Sequence, residues 1–179
     1  MEDSAPGIYR QLPNCKIAES ATISSDARII PSVRGTLIEI GSDTRIFEFV
    51  VIRAVGGVGN VIIGDRCAIN PHCMLYSGNG ISIGNDVLIA AGTVIAPVNH
   101  STAMLGKLIR EQGFAPSRGG VTIESDVWIG ANCVLVDGAY IEQGAVVGAG
   151  SVVVGRVSGY SLWCGQPAKL VRHRGNTQL

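Results

Sequence analysis

The residues of this sequence that could perform chemistry are concentrated in one polar segment, residues 96–120. The segment opens with Asn99-His100-Ser101, and its charged side chains are Lys107, Arg110, Glu111 and Arg118. Long polar insertions in a compact array are usually functional. Histidine suits proton exchange near neutral pH, so His100 is a candidate general base, with a solvated loop histidine as the alternative. Glu111 could orient that imidazole or contact an acceptor, or it could be a solvated carboxylate.

The elements that must position this segment follow a six-residue repeat. From position 123 onward the aliphatic anchors are Ile123, Ile129, Leu135, Ile141, Val147 and Val153. A period of six fits neither the helical 3.6 nor the alternation of a strand. It indicates a parallel β-helix, in which each coil stacks on the last and the anchors share one dry core.

The same repeat extends backwards through most of the chain. The earlier anchors are Ile17, Ile23, Ile29, Ile40, Ile46, Ile52, Ile63, Ile69, Leu75, Ile83, Ile89 and Ile95. The position four residues after an anchor is small or β-branched, as at Ala21, Ala27 and Val33. Phase slips after Ile29, Ile52 and Leu75 are rich in Gly, Pro, Asn or Arg, which predicts bulges or short insertions there.

Length and composition indicate a single domain. The chain has 179 residues, of which 46% are hydrophobic and only 5% aromatic, which fits a narrow core of stacked Ile and Val. The formal net charge is zero, without a basic run, so nucleic acid is not an expected partner. No stretch approaches a membrane span, and the N-terminus lacks a secretory signal. We therefore expect a cytoplasmic protein.

The cysteines are interpreted as structural. Cys67, Cys73 and Cys133 each occupy the small position of a hexapeptide, where a free thiol acts as an apolar filler. Cys15 and Cys164 lie near the two ends, and an odd count without paired spacing argues against disulfides and zinc. We therefore expect no metal site.

The loop and its flanks resemble the hexapeptide-repeat acetyltransferases that modify sugars and surface polysaccharides, and more distantly the galactoside and maltose acetyltransferases. The matching features are Asn99-His100 at the opening, Gln112-Gly113 inside, and Asp126-Val127-Trp128-Ile129-Gly130 on the return. The likeness covers roughly residues 63–172. It implies an all-β fold, a left-handed parallel β-helix with one protruding loop, and a homotrimer in which the loop reaches a neighbouring subunit.

The extent of the repeat sets the expected domain boundaries. We expect an N-terminal segment at 1–16, a β-helix at 17–155 with the loop 96–120 inserted, and a C-terminal segment at 156–179. Gly165-Gln166-Pro167-Ala168-Lys169 matches the exit segment of the family, and proline suits the first turn of a helix. A short helix is therefore expected at residues 167–172.

Several site residues follow from the same resemblance. His100 matches the family's general base, and Asn70 matches an asparagine that hydrogen-bonds the acceptor or the oxyanion. A corner asparagine in a left-handed turn is the alternative for Asn70. The residues expected to contact acetyl-CoA are Trp128, Ala131, Ala149, Lys169 and Arg172. For the two cations, a solubilising tail is the alternative.

Two departures from the family bear on function. Where the family often carries Thr-Lys near the coenzyme, this chain has Val154-Gly155, and Arg156 could take that contact. Residues 1–16 are short and rich in proline, which disfavours the N-terminal helical region of the galactoside-type enzymes. An acceptor cleft without that region would be open, which suits a polymer or a lipid-linked glycan.

The resulting hypothesis is an acetyl-CoA-dependent O-acetyltransferase that acts on a sugar hydroxyl of a surface polysaccharide or related glycan by direct transfer in a ternary complex. An N-acetyltransferase for an amino or nucleotide sugar is the first alternative. A non-catalytic β-helix that serves as an assembly module is the second. A carbonic anhydrase is rejected because it needs three zinc-binding histidines with close spacing, and His72, His100 and His173 do not provide them.

Overall fold

The six-residue repeat folds into the coils of a parallel β-helix. The computed structural model describes residues 9–175. Each complete coil contributes one short strand in turn to sheet 1, sheet 2 and sheet 3. Equivalent strands of successive coils pair in parallel, as Ile38 does with Val61 and Val61 with Ile81. The predicted all-β architecture is confirmed.

The strands are short, and up to β20 the three sheets take every third strand in chain order, while β21 joins sheet 2 directly after β20. Sheet 1 contains β1 (Cys15–Ile17), β4 (Ile38–Ile40), β7 (Val61–Ile63), β10 (Ile81–Ile83), β13 (Val121–Ile123), β16 (Tyr140–Ile141) and β19 (Arg156–Val157). Sheet 2 contains β2 (Thr22–Ile23), β5 (Arg45–Ile46), β8 (Ala68–Ile69), β11 (Leu88–Ile89), β14 (Trp128–Ile129), β17 (Val146–Val147), β20 (Ser161–Gly165) and β21 (Ala168–His173). Sheet 3 contains β3 (Arg28–Ile30), β6 (Val51–Arg53), β9 (Met74–Tyr76), β12 (Val94–Ala96), β15 (Val134–Val136) and β18 (Val152–Val153).

The core is a column of the predicted anchors. All of them from Ile23 to Val153 are buried, with exposed fractions between 0% and 5%. Burying one such aliphatic side chain contributes about 1.5–3 kcal/mol. Tyr9 and Leu12 pack against this column near its N-terminal end, and Trp163 and Ala168 pack against it near its C-terminal end.

The phase slips and the long interruption all fall at one corner of the coil. We name the corners by the sheets that they connect, so the 3–1 corner joins sheet 3 to sheet 1 of the next coil. Residues 31–37, 54–60, 77–80 and 97–120 all lie between a strand of sheet 3 and the next strand of sheet 1. The predicted insertions are therefore confirmed, and the loop emerges beside the earlier ones.

The assignment of Val33 to an inward small position is wrong. Its side chain is fully exposed, because the chain leaves the coil after β3 and Val33 lies in the insertion at the 3–1 corner.

The glycines that follow several anchors are required by close stacking at the 1–2 corner. A Cβ at Gly41 would lie 2.6 Å from the carbonyl oxygen of Gly64, and a Cβ at Gly64 would lie 2.6 Å from that of Gly84. The neighbouring polar side chains link the coils: Ser42 N–H donates to Asp65 Oδ1 at 2.7 Å, and Asp65 N–H donates to Asn85 Oδ1 at 2.8 Å. This ladder leaves no room for a side chain at the glycine.

The prediction of a C-terminal helix is wrong. Residues 168–173 form β21, which pairs antiparallel with β20. Strand β20 would otherwise end sheet 2 with unpaired backbone groups, and the hairpin satisfies many of them. Pro167 lies in the turn between the two strands and not in the first turn of a helix.

The N-terminal segment is described only in part. Tyr9 and Arg10 are helical, and the expectation that residues 1–16 form no galactoside-type helical region stays a prediction, because residues 1–8 lie outside the described part of the chain. The Arg10 guanidinium donates to the carbonyl oxygens of Ala18, at 3.1 Å, and Glu19, at 2.6 Å. These bonds join the segment to the first coil.

We predict that Gly64→Ala lowers the free energy of unfolding by about 1–3 kcal/mol, because the new methyl group would overlap the next coil. The measurement is denaturant unfolding at a fixed protein concentration. Gly155→Ala is the matched control, since a Cβ at Gly155 would meet no atom within 4 Å. Equal stability of the two variants would contradict the close stacking.

Candidate active site

The loop stands on a short two-stranded base that carries His100. The backbone of His100 pairs antiparallel with that of Phe114. The pairing continues on both sides, as Ser101 N–H donates to the Gly113 carbonyl at 3.0 Å and Ala115 N–H donates to the Asn99 carbonyl at 2.8 Å. The histidine is therefore held on an ordered hairpin.

The outer part of the loop is organised by the Gln112 side chain. Its carbonyl oxygen accepts the Met104 N–H at 3.0 Å, and its amide donates to the carbonyl oxygens of Met104 and Lys107. Gln112 ends the loop helix, Ile109–Gln112. The sequence analysis identified Gln112 as part of the Gln112-Gly113 motif but did not predict its structural role.

The return of the loop is held by a buried carboxylate that the sequence analysis missed. Asp137 is 1% exposed. Its Oδ2 accepts the Arg118 N–H at 2.7 Å, and its Oδ1 accepts the Gly120 N–H at 2.8 Å. Nothing in the sequence distinguished this aspartate from a surface turn residue.

The His100 side chain is exposed at the base of the loop. Its ring centroid lies 5.0 Å from that of Phe114, with the planes tilted by 40°. Within residues 9–175, no side chain forms a hydrogen bond or ion pair with the imidazole, and Glu111 makes neither with it. Both ring nitrogens are thus available to a substrate, and the proposed orienting role of Glu111 has no supporting contact.

Asn70 lies at a different corner from His100 in the same chain. It follows β8 of sheet 2 and so belongs to the 2–3 corner, whereas His100 belongs to the 3–1 corner. Its Nδ2 donates to the Ile89 carbonyl at 2.9 Å, which ties two coils together. A single chain therefore does not bring Asn70 and His100 together.

Several residues predicted to contact the donor share one side of the coil. Trp128 is 53% exposed on β14 of sheet 2, and Ala131 and Ala149 lie at the adjoining 2–3 corner. The row through Trp128 continues through Val146 and Leu162 to Arg172. Lys169 lies on the same terminal strand, opposite Cys164. One side of the coil thus combines the exposed indole ring of Trp128, the small side chains of the 2–3 corner and the cations of the terminal strand.

Arg156 is engaged on another side of the coil. Its guanidinium pairs with the Glu142 carboxylate and lies 5.3 Å from the centre of the Tyr140 ring, on sheet 1. The Gly159 N–H, which donates to Glu142 at 2.8 Å, and the Arg156 guanidinium lower the pKa of Glu142. Arg156 thus makes its ion pair on sheet 1, and its suggested contact with the coenzyme stays a prediction.

The inward thiols have the properties of core fillers. Cys67, Cys73 and Cys133 are at most 1% exposed, and burial raises the pKa of each thiol, to about 11 for Cys73. A thiol of that kind is a poor nucleophile near neutral pH.

Residues 9–175 contain no group of three or more His, Cys, Asp or Glu side chains arranged to hold a metal ion. No helix in the same range is long and apolar enough to cross a membrane.

Comparison with known proteins gives two family matches. The model for the bacterial transferase hexapeptide (six repeats) matches residues 120–155, and that for the hexapeptide repeat of succinyl-transferase matches residues 60–97. The matched segments flank the loop on both sides.

Curated relatives are similar over much of this chain. A Mycobacterium tuberculosis protein assigned as an acetyltransferase is 32% identical over 76% of this chain and 44% of its own length. WbbJ of Escherichia coli, assigned as an O-acetyltransferase of lipopolysaccharide biosynthesis, is 30% identical over 65% of this chain and 62% of its own. The mitochondrial gamma carbonic anhydrase 2 of Arabidopsis thaliana is 34% identical over 64% of this chain and 44% of its own length. The chain thus spans less than two thirds of these relatives.

Among solved structures, AntD of Bacillus cereus is similar over nearly the whole chain. AntD is an N-acyltransferase, and a point mutant of it was solved in complex with dTDP-4-amino-4,6-dideoxyglucose and coenzyme A. It is 25% identical, with a TM-score of 0.75, over 90% of this chain and 84% of AntD.

We predict that Asp137→Ala loosens the return of the loop, because the Arg118 and Gly120 N–H groups lose their acceptor, at a cost of about 1–3 kcal/mol for the buried Gly120 group. Hydrogen–deuterium exchange should be faster in peptides that cover residues 117–121. Asp26→Ala, at an exposed carboxylate, is the control. Unchanged exchange in the Asp137 variant would show that this carboxylate does not hold the loop.

Proposed function

We propose that the chain is a hexapeptide-repeat acetyltransferase, and that it transfers an acetyl group from acetyl-CoA to a sugar hydroxyl of a surface polysaccharide or related glycan. The observation that carries the proposal is the exposure and position of the His100 side chain. Its exposed imidazole stands on an ordered hairpin between two hexapeptide segments, free of protein hydrogen-bond partners within residues 9–175.

The chemistry requires one base and one anion-stabilising environment. The acceptor oxygen attacks the thioester carbonyl carbon while the His100 imidazole takes the hydroxyl proton. The tetrahedral intermediate then collapses, the C–S bond breaks, and the thiolate of coenzyme A leaves with that proton. Backbone N–H groups are suited to stabilise the intermediate oxyanion. Direct transfer needs no cysteine nucleophile, in keeping with the buried thiols.

The donor is proposed to bind along sheet 2 and the 2–3 corner. Trp128 offers an exposed aromatic surface, and Ala131 and Ala149, at the adjoining 2–3 corner, have small side chains. Lys169 and Arg172, at the edge of the same sheet, are suited to the phosphates of coenzyme A. Coenzyme A in the AntD structure supports this class of donor.

A homotrimer would unite these surfaces. His100 and the donor surface lie at different corners of one chain, so a site that uses both needs a second copy. The loop also exposes apolar side chains, with exposed fractions of 51% at Met104, 98% at Leu105, 56% at Leu108 and 55% at Ile109. Apolar surface of this kind favours association.

An N-acyl transfer to an amino or nucleotide sugar is the second candidate, favoured by the likeness to AntD. The same base would serve an amine. Treatment of the product with hydroxylamine distinguishes the two reactions, because hydroxylamine cleaves an O-acetyl ester and leaves an N-acetyl amide intact. A non-catalytic assembly module is the third candidate, and it would show no rise in melting temperature with coenzyme A.

We predict that His100→Ala lowers kcat by about 10²- to 10⁴-fold and leaves coenzyme A affinity nearly unchanged, because a general base acts in the transition state. Steady-state kinetics and calorimetric titration with coenzyme A measure the two effects. His173→Ala, at an exposed histidine of β21, is the control. Near-normal turnover of the His100 variant would refute the mechanism.

The trimer generates a separate expectation. Light scattering at micromolar protein should give the mass of three chains, and Leu108→Asp together with Ile109→Asp should lower it, because charges would replace exposed apolar contacts. Val58→Asp, at an exposed valine outside the loop, is the control. A monomeric wild-type protein would contradict the trimer.

A further inference from the structure

A cleft lies at the 3–1 corner beside the base of the loop. It has a volume of about 320 Å³ and is lined by residues 32–34, residues 54–57 and Phe114. We name it the Arg34 cleft. It lies away from sheet 2 and the 2–3 corner, where the donor is proposed to bind.

The Arg34 cleft and His100 are both neighbours of the Phe114 ring, although His100 does not itself line the cleft. Phe114 lines the cleft, and the same ring lies 5.0 Å from the His100 ring. At the other side, a Cβ at Gly56 would lie 3.5 Å from Val98 Cγ1, so the opening strand of the loop borders the cleft. A molecule in this cleft could therefore contact the same Phe114 ring that lies beside the candidate base.

The lining of the cleft combines apolar walls with a cation. Phe114, Val33 and Val55 are exposed by 53%, 102% and 40%. The backbone of Arg34 is fixed by its N–H bond to Ser32 Oγ at 2.8 Å, while its guanidinium has no hydrogen-bond or ion-pair partner within residues 9–175. Arg53 directly precedes the lining residue Ala54 and is also exposed. A guanidinium of this kind suits a phosphate group.

The charge of the corner favours an anion. Its basic residues are Arg34, Lys107, Arg110 and Arg118, and its acidic residues are Glu111 and Asp137. Asp137 is buried, and both of its oxygens accept backbone N–H groups of the loop. The accessible side chains of this corner are therefore mainly cationic, although the whole chain is formally neutral.

We infer that the Arg34 cleft binds the diphosphate of a diphosphate-linked sugar, with Arg34 on the phosphates and Phe114 against the apolar part of the carrier. This inference rests on the proposed acyl transfer for its role, since the cleft would hold the acceptor sugar beside His100. The carrier that supplies the diphosphate is either a nucleoside or a prenyl lipid. Both have an apolar or aromatic part that fits the exposed Phe114 ring.

Binding is tested without catalysis. Calorimetric titration of the full chain with dTDP and with farnesyl diphosphate, in the absence of a donor, should detect one of them, and the tighter one identifies the carrier. Arg34→Ala should weaken it about 10-fold or more, Arg34→Lys should lose less, and Arg45→Ala, at an exposed arginine of sheet 2, should match the wild type. Binding of neither probe, or equal binding by the Arg34 and Arg45 variants, overturns the assignment.

Acyl transfer gives an independent readout. With a diphosphate-linked acceptor, Arg34→Ala should raise KM more than it lowers kcat, whereas a neutral oligosaccharide should be insensitive to the change. Equal kcat/KM of the wild type and the Arg34 variant with the diphosphate-linked acceptor overturns the cleft and leaves the proposed function standing. Probe binding that depends on Arg34, without transfer to any acceptor, supports the cleft and rejects the proposed function.

Discussion

The structure depends on the hydrogen-bonded stacking of each coil on the next. Sheet 2 shows the pattern, with Arg45 N–H donating to the Cys67 carbonyl at 2.8 Å and Ala68 N–H donating to that of Val87 at 2.9 Å. Every strand except those at the ends lies between two others, so its length and register are fixed. An insertion within a strand would break the ladder, and an insertion at a corner does not. The loop obeys this rule, because Leu88 still pairs with Trp128 across it.

The same stacking explains the polar groups beside the core. Thr44 Oγ1 donates to the Gly64 carbonyl at 2.7 Å and accepts the Cys67 N–H at 3.0 Å. Thr93 Oγ1 makes the equivalent bonds to Gly130 and Cys133, at 3.0 and 3.3 Å. A hydroxyl at the small position is therefore satisfied by the coil that follows, and burial there carries little penalty.

Charge is divided unevenly among the corners of the coil. The 1–2 corner carries Glu19, Asp43, Asp65, Asp86, Glu124, Asp126 and Glu142, with Arg66 as its basic residue. Asp43, Asp86 and Asp126 have φ values of 58°, 60° and 58°, the left-handed region that aspartate tolerates better than most residues. These three aspartates occupy turn positions of the coil. The exposed charged side chains of the 3–1 corner lie instead on insertions that the coil does not require.

The sequence alone determined the repeat, the buried anchors from Ile23 to Val153 and the positions of the interruptions, because each follows from a local period of six. The break in that period also identified the loop, and the resemblance to the acetyltransferases together with imidazole chemistry singled out His100 within it. The sequence analysis misassigned Val33 and the C-terminal helix, because corner insertions and the unpaired edge of β20 are properties of the stacked coils. Only the tertiary structure showed that Asn70 and His100 lie at different corners, that Asp137 is buried, and that Phe114 joins His100 to the Arg34 cleft. Those relations connect residues that are distant in sequence. The winding of the coil determines which of them lie together, and no local sequence pattern contains that information.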